Sequence, residues 1–173
     1  ILHLANSSVV RYMQLFDPIK SVKYFANRGT SGIDGSMSTA VGSAIALPDK
    51  QHVFISGDVS FIYDSNAMWV RPFPKNLKII VINNYGGSIF RIIDGAKTSE
   101  QLETYFEAHH HTDVKNIAEG FGFSTTEVDE QKDYEASIFQ FLNNDNHQIL
   151  IFKTDRKENP LALSRLFKHL NND

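Results

Sequence analysis

At 173 residues, 42% of them hydrophobic and 21% charged, the chain has enough apolar mass for one domain with a sizeable core. Its 17 Lys and Arg against 20 Asp and Glu leave a net charge of -3, which is not the footprint of a nucleic-acid binder. The absence of Cys excludes disulfides and Cys-ligated zinc and fits a cytoplasmic location, and no apolar run approaches the roughly 18 residues of a membrane span. Ile1 to Leu4 read as the middle of an element, and with Ile rather than Met in first place the chain reads as a fragment of a longer one. Asn6 to Phe16 reads as a helix capped by Asn6 or Ser7 and stopped at Asp17-Pro18. Val22 to Ala26 is a strand candidate. Asn27 to Gly35, NRGTSGIDG, has three Gly in nine residues and no apolar period, so it reads as a tight loop at a strand's carboxyl end. Ser36 to Leu47 is a helix with Met37, Val41, Ala44 and Ile45 at helical spacing, closed by Pro48-Asp49.

The stretch from His52 to Phe90 organises the chain. Val53 to Ile55 is a short apolar strand ending at Gly57-Asp58. A helix follows from about Ser60 to Val70, until Pro72 and Pro74 stop it. Leu77 to Ile82 is a second, β-branched strand, and it ends at Asn83-Asn84 before Gly86-Gly87. A strand, a crossover helix and a strand make a parallel βαβ unit, so both strands end on one sheet edge. Asp58 and Asn84 then face each other where open α/β sheets bind ligands. A carboxylate beside a helix N-terminus that favours a phosphate needs a cation between them. An Asp oxygen, an Asn amide oxygen and a backbone carbonyl suit Mg²⁺, with Mn²⁺ as an alternative. These residues spell a Mg²⁺-diphosphate site; the plainer reading is a βαβ unit whose Asp caps a helix.

Beyond Phe90, Arg91 to Lys97 reads as a loop that could cover the site. Glu100 to Ala108 and Asp113 to Gly120 read as short helices, the second ended by Gly120 and Gly122. Ser124 to Val128 is a strand, Tyr134, Ile138, Phe141 and Leu142 mark a helix, and Gln148 to Lys153 is a strand. Leu163, Leu166, Phe167 and Leu170 mark a last helix. Strands and helices alternate throughout, which predicts one doubly wound α/β domain over residues 1–173 with a mostly parallel sheet and helices on both faces. His109, His110 and His111 read as a polar loop, because consecutive side chains point in different directions and rarely share one ion. Asp64 and Asn66 read as capping or exposed, Trp69 and Phe73 as core, and Glu100, Glu103 and Glu107 as a surface helix.

Gly57-Asp58, a spacer and then Asn83-Asn84 resemble the signature of thiamine-diphosphate enzymes, although Val59 stands where that signature has a third Gly. Asn6-Ser7-Ser8-Val9-Val10-Arg11, Asn27 to Gly35, and Asn83-Asn84-Tyr85-Gly86-Gly87-Ser88-Ile89-Phe90 are similar to one branch of that group. This is the 2-succinyl-5-enolpyruvyl-6-hydroxy-3-cyclohexene-1-carboxylate synthase family of menaquinone biosynthesis, which typically lacks the third Gly. The resemblance covers nearly the whole chain as the C-terminal, diphosphate-binding domain, and its motifs are specific up to about Phe90. It implies thiamine diphosphate and Mg²⁺ as cofactors, with Asp58, Asn84 and the Gly86 carbonyl as metal ligands. Gly57, Val59, Ser60, Gly87 and Ser88 would line the diphosphate, the last of these by closing around the same end. The backbone of Ser31 and Ile33 would hold the pyrimidine, with Ile33 the wedge beneath the thiazolium that brings the aminopyrimidine nitrogen to the reacting carbon.

The same resemblance implies a transferase that decarboxylates 2-oxoglutarate and adds the succinyl unit to isochorismate. Both substrates carry two carboxylates, which suits the forked guanidinium of Arg11 and Arg28. Ser7, Ile89 and Phe90 would line that pocket. Ordinary alternatives stand beside these roles: surface salt bridges for the arginines, core packing for Ile33, Ile89 and Phe90. The Glu that such enzymes use to activate the pyrimidine matches no Glu here. It is expected on an N-terminal pyrimidine-binding domain of a second subunit, in a homodimer or homotetramer, so that this chain supplies half an active site. Another thiamine-diphosphate enzyme, of the acetolactate-synthase type or an oxoacid oxidoreductase subunit, and a catalytically silent Mg²⁺-diphosphate-binding domain are the alternatives.

Overall fold

A computed structural model describes residues 1–129, 133–144 and 146–170. Six strands, β1 Leu2–Leu4, β2 Tyr24–Ala26, β3 His52–Gly57, β4 Leu77–Asn83, β5 Ser124–Val128 and β6 Gln148–Lys153, form one sheet in the order β2-β1-β3-β4-β6-β5. Every neighbouring pair is parallel. The central strands are apolar along their length, as parallel strands covered on both faces must be: Ile79, Val81, Ile149 and Ile151 are buried on one face, Ile80, Leu150 and Phe152 on the other.

Helices α2 Ser36–Ala46, α3 Asp58–Tyr63 and α4 Val114–Gly120 cover the first face, where Met37, Val41, Phe61, Val114 and Ala118 pack onto Phe54, Ile79 and Val81. Helices α1 Ser8–Met13 and α5 Tyr134–Leu142 cover the second, α1 through Val9 and Val10 and α5 through Phe141. Helix α6 Glu158–Leu170 closes the chain with Leu161, Leu166 and Phe167 exposed; the side chain of Leu170 lies outside the described residues. The chain runs from β1 outward to β2 and then returns past β1 to β3. The strand order therefore reverses between β1 and β3, and a crevice opens there at the carboxyl ends.

Several elements differ from the sequence expectation. Helix α1 is shorter than Asn6 to Phe16, and the Ser7 side chain at its start makes no capping hydrogen bond. Asn6 does not cap either, because its amide bonds across the chain to the carbonyls of Asn27 at 2.8 Å and Gly32 at 2.6 Å. The crossover helix ends at Tyr63 and continues as a 3-10 turn over Ser65–Trp69. Between the two, the buried Asp64 carboxylate accepts from Ser38 N at 2.7 Å and Ser38 Oγ at 2.6 Å, so Asp64 caps the first turn of α2 rather than its own helix. Phe73 is core, stacked edge-on against Phe123, but Trp69 is 74% exposed, because the 3-10 turn and the two prolines carry it off the sheet face. The segment expected as a helix over Glu100 to Ala108 forms a single π-helical turn, Leu102–Phe106.

Candidate functional site

At the strand-order reversal the carboxyl ends of β1, β2, β3 and β4 enclose a cavity of about 870 Å³, a size ordinary for a cofactor or substrate site. It gathers every residue to which the sequence assigns a cofactor, metal or substrate role. The end of β1 and the start of α1 bring Ser7 and Arg11; the loop after β2 brings Arg28, Ser31 and Ile33. The end of β3 brings Gly57, Asp58, Val59 and Ser60. The turn after β4 brings Asn84, Gly86, Gly87, Ser88, Ile89 and Phe90. Gly57 pairs in register with Ile82, so Asp58 and the Asn83-Asn84 turn leave the sheet side by side.

Asp58 opens α3 and is 2% exposed. One carboxylate oxygen, Oδ2, accepts from Gly86 N at 2.9 Å. Asn84 is also buried, and its Nδ2 donates to Ser88 Oγ at 2.9 Å, an amide orientation that leaves Oδ1 as the remaining acceptor. That Oδ1 is buried without a hydrogen-bond partner. An unsatisfied buried acceptor costs about 1–3 kcal/mol. A carboxylate, an orphaned amide oxygen and a nearby backbone carbonyl are a hard-oxygen donor set of the kind Mg²⁺ takes, with phosphate and water completing the shell. Among the described residues no cluster of three or more His, Asp or Glu offers a rival metal centre.

The other groups are tied to one another. Ser60 Oγ donates to the Ile33 carbonyl at 2.5 Å, so its hydroxyl proton is spent on holding the Gly-rich loop over α3. Arg28 is exposed and donates from Nη1 to Asn6 Oδ1 at 2.8 Å. With its amide on the loop carbonyls of Asn27 and Gly32, buried Asn6 carries the geometry of the whole substrate-side wall. The sequence gives Asn6 a capping role and a place in the Asn6 to Arg11 motif but no site role of its own; its position two residues beyond the end of β1, beside Ser7, is the signal for one. Among the described residues neither Arg11 nor Arg28 has a carboxylate partner within ion-pair distance.

The backbone around the cavity is strained. Among the described residues four that are not glycine have positive φ: Ser7 at 75°, Ser31 at 57°, Tyr85 at 62° and Ala108 at 47°. Ser7, Ser31 and Ala108 line the cavity, and Tyr85 sits between Asn84 and Gly86. Such residues persist only where their surroundings over-determine them, and they concentrate at ligand sites.

Two expectations about the segment after Phe90 are overturned. Glu107 is not on a surface helix; it is fully buried at the cavity wall. Its carboxylate accepts from Arg91 Nε at 2.7 Å and Nη2 at 2.6 Å and from Arg156 Nη1 at 2.5 Å. Two guanidinium groups compensate the burial that would expel a lone carboxylate. The Glu107 hydrogen bond pushes the Arg91 pKa further up, and the Arg91 hydrogen bond draws the exposed Glu103 carboxyl down. The histidine run is not merely a polar loop. His109 and His111 face each other, with ring centroids 4.9 Å apart, while His110 turns inward and places Nε2 3.2 Å from Asp58 Oδ2.

A family model described as the thiamine pyrophosphate enzyme C-terminal TPP-binding domain matches residues 6–152. The 2-succinyl-5-enolpyruvyl-6-hydroxy-3-cyclohexene-1-carboxylate synthase of Flavobacterium psychrophilum is 45% identical over 169 residues, covering 98% of this chain and 30% of that protein. The synthase of the same name from Bacteroides fragilis is 44% identical over 140 residues, 81% of this chain and 25% of that protein. The chain thus spans less than a third of the length of these curated relatives. Among solved structures, benzoylformate decarboxylase from Polynucleobacter necessarius is similar with a TM-score of 0.75 at 16% identity, over 90% of this chain and 30% of that one. A 4-hydroxybenzoylformate decarboxylase of Rhodococcus jostii gives 0.71 at 24%, over 90% and 29%. At such identities the likeness concerns the fold.

Proposed function

The chain belongs to the thiamine pyrophosphate enzymes, as a C-terminal TPP-binding domain, and from that premise we propose that it is the diphosphate-binding domain of a longer 2-succinyl-5-enolpyruvyl-6-hydroxy-3-cyclohexene-1-carboxylate synthase. That enzyme would decarboxylate 2-oxoglutarate and transfer the succinyl unit to isochorismate. Identity of 45% to a synthase of that name, sustained over 98% of the chain, supports this member of the family over the decarboxylases that share only the fold. The observation that carries the site is the buried pair at the strand-order reversal, the Asp58 carboxylate and the orphaned Asn84 Oδ1.

Asp58, Asn84 and the Gly86 carbonyl would hold Mg²⁺ or Mn²⁺. Gly57, Val59, Ser60, Gly87 and Ser88 would surround the diphosphate, and the Ser31 and Ile33 backbone would receive the pyrimidine, with the Ile33 side chain beneath the thiazolium. Thiamine diphosphate, when bound, supplies the nucleophilic carbon that attacks a 2-oxo acid. The chain's own contribution is positional: Ser60 pins the Ile33 carbonyl, Ser88 turns the Asn84 amide, and Asn6 seats Arg28. Arg28 and Arg11 would clasp substrate carboxylates beside Ser7, Ile89 and Phe90, because a guanidinium binds a carboxylate bidentately. Glu107, the glutamate at the cavity wall, is committed to two arginines. The carboxylate that activates the pyrimidine would therefore come from the N-terminal domain of a second subunit in a homodimer or homotetramer. No helix among the described residues is long and apolar enough to cross a membrane, and a cytoplasmic setting is part of the proposal.

Asp58→Ala in the full-length protein tests the site. Thiamine diphosphate affinity in the presence of Mg²⁺, measured by calorimetry, should fall below detection; affinity equal to wild type would overturn the assignment.

A further inference from the structure

Three contacts join the segment 107–110 to the turn that carries Asn84 and Gly86. Gly87 N donates to the Glu107 carbonyl at 2.7 Å, and His110 N donates to the Tyr85 carbonyl at 3.1 Å. The third is the approach of His110 Nε2 to Asp58 Oδ2 at 3.2 Å. The His110 ring is oriented for that approach: Thr112 N donates to Nδ1 at 3.2 Å, so Nδ1 is the acceptor and a neutral ring carries its proton on Nε2, facing the carboxylate. Nε2 is buried and makes no aligned hydrogen bond, to Asp58 or to any other group, so the contact with the carboxylate is one of proximity. Gly86 N donates to the same Oδ2, so the hydrogen bond from the turn and the approach of the His110 ring fall on one oxygen of Asp58.

The segment is itself fixed from behind. A Cβ on Gly86 would meet the Glu107 carbonyl at 3.0 Å and its Cγ at 3.3 Å, so the turn lies directly against Glu107. The Glu107 side chain reaches away from the turn to Arg91 and Arg156, and Arg156 has no atom in the cavity wall.

We propose that His110, and Glu107 in the clasp of Arg91 and Arg156, are positioning residues that set the Asp58–Asn84–Gly86 oxygen triad for its cation. This rests on the cation site proposed above. Outer contacts of this kind orient the oxygens a metal receives, and losing one typically costs about 10–100-fold in metal affinity. Arg156 acts at the greatest remove: without it Glu107 keeps its two bonds to Arg91 and remains charge-balanced, so the fold survives while the backbone at 107 loses one anchor.

The test titrates Mn²⁺ into the full-length protein with thiamine diphosphate present and reads free Mn²⁺ by electron paramagnetic resonance, with folding followed by circular dichroism. H110F and R156Q should each bind Mn²⁺ about tenfold more weakly at temperatures where both are folded. H110Q, which keeps an N–H donor, should recover part of the loss. A purely structural role would lower the melting temperature and leave Mn²⁺ affinity alone. Wild-type affinity, within twofold, in both H110F and R156Q would overturn the proposal; if R156Q does not fold, H110F decides. D58A separates the two levels. If D58A abolishes binding while H110F and R156Q do not weaken it, only the positioning role fails. If D58A binds Mn²⁺ as wild type does, the cation site itself fails.

Discussion

Gly57→Ala should separate what the fold needs from what the ligand needs. Gly57 caps α3 in extended backbone, with φ of -79° and ψ of 161°, a conformation open to any L-residue. A Cβ there would meet no atom within 4 Å, yet Gly57 lines the cavity. Nothing in the chain therefore requires glycine at this position. Restricting the unfolded chain contributes about 0.4–1 kcal/mol of stability, while replacing a glycine N-cap by alanine costs a similar amount, about 0.5–1 kcal/mol, so Tm should stay within about 3 °C of wild type. The added methyl occupies space proposed for the diphosphate, and overpacking typically costs about 1–3 kcal/mol. That corresponds to about a 5- to 150-fold weaker affinity for thiamine diphosphate. Thermal melting and calorimetric titration of the full-length variant give the two numbers side by side. A variant that melts more than about 5 °C below wild type, or that binds thiamine diphosphate with wild-type affinity, would refute the reasoning.

Arg28→Ala should raise the KM for 2-oxoglutarate or isochorismate while leaving thiamine diphosphate affinity nearly unchanged. Because Arg28 is exposed, the loss should fall below the about 2–5 kcal/mol typical of a buried charged partner, and steady-state kinetics that match wild type would return Arg28 to an ordinary surface arginine. Asp64→Ala removes the acceptor of two hydrogen bonds from Ser38, and at about 1.5–3 kcal/mol for a bond to a charged group it should lower Tm well beyond any shift in Gly57→Ala; an unchanged Tm would contradict the tertiary cap. His3 is buried with its Nε2 3.0 Å from His52 Nδ1, and burial, then the neighbouring His52, lowers its pKa to about 4. A folded pKa below the unfolded value of about 6.5 means the unfolded chain binds the extra proton first. The contribution of neutral His3 is complete above pH 6.5 and declines as pH falls from there towards 4. Urea denaturation at pH 7 and pH 5 should show that decline in the wild type and a smaller one in His3→Phe; equal declines would remove His3 as its source.

The sheet and most of the cavity were legible because a parallel α/β fold converts strand endings into a site. β-branched runs that stop at Gly57-Asp58 and at Asn83-Asn84 mark two carboxyl ends, and parallel pairing places carboxyl ends on one edge whatever lies between them. What was not legible depends on partners that no local pattern announces. Glu107 reads as one of three evenly placed surface acids; its burial is decided by Arg91 and Arg156, 16 and 49 positions away in the chain. Three consecutive histidines read as a polar loop whose side chains diverge. The physical premise held, since His109 and His111 do turn away from the site, but that same divergence leaves the middle ring free to point inward at Asp58. Trp69 looked like core because a continuous helix would have carried it onto the sheet, and the interruption at Asp64 comes from Ser38 on another helix. Asn6 carries a capping residue's side chain, yet the loop carbonyls of Asn27 and Gly32 compete for its amide, and Arg28 for its oxygen. In each case a polar side chain meets a partner distant in the chain rather than a local one. The residues that bound the candidate site are therefore readable from strand ends, whereas those that hold its shape become visible only once the chain is folded.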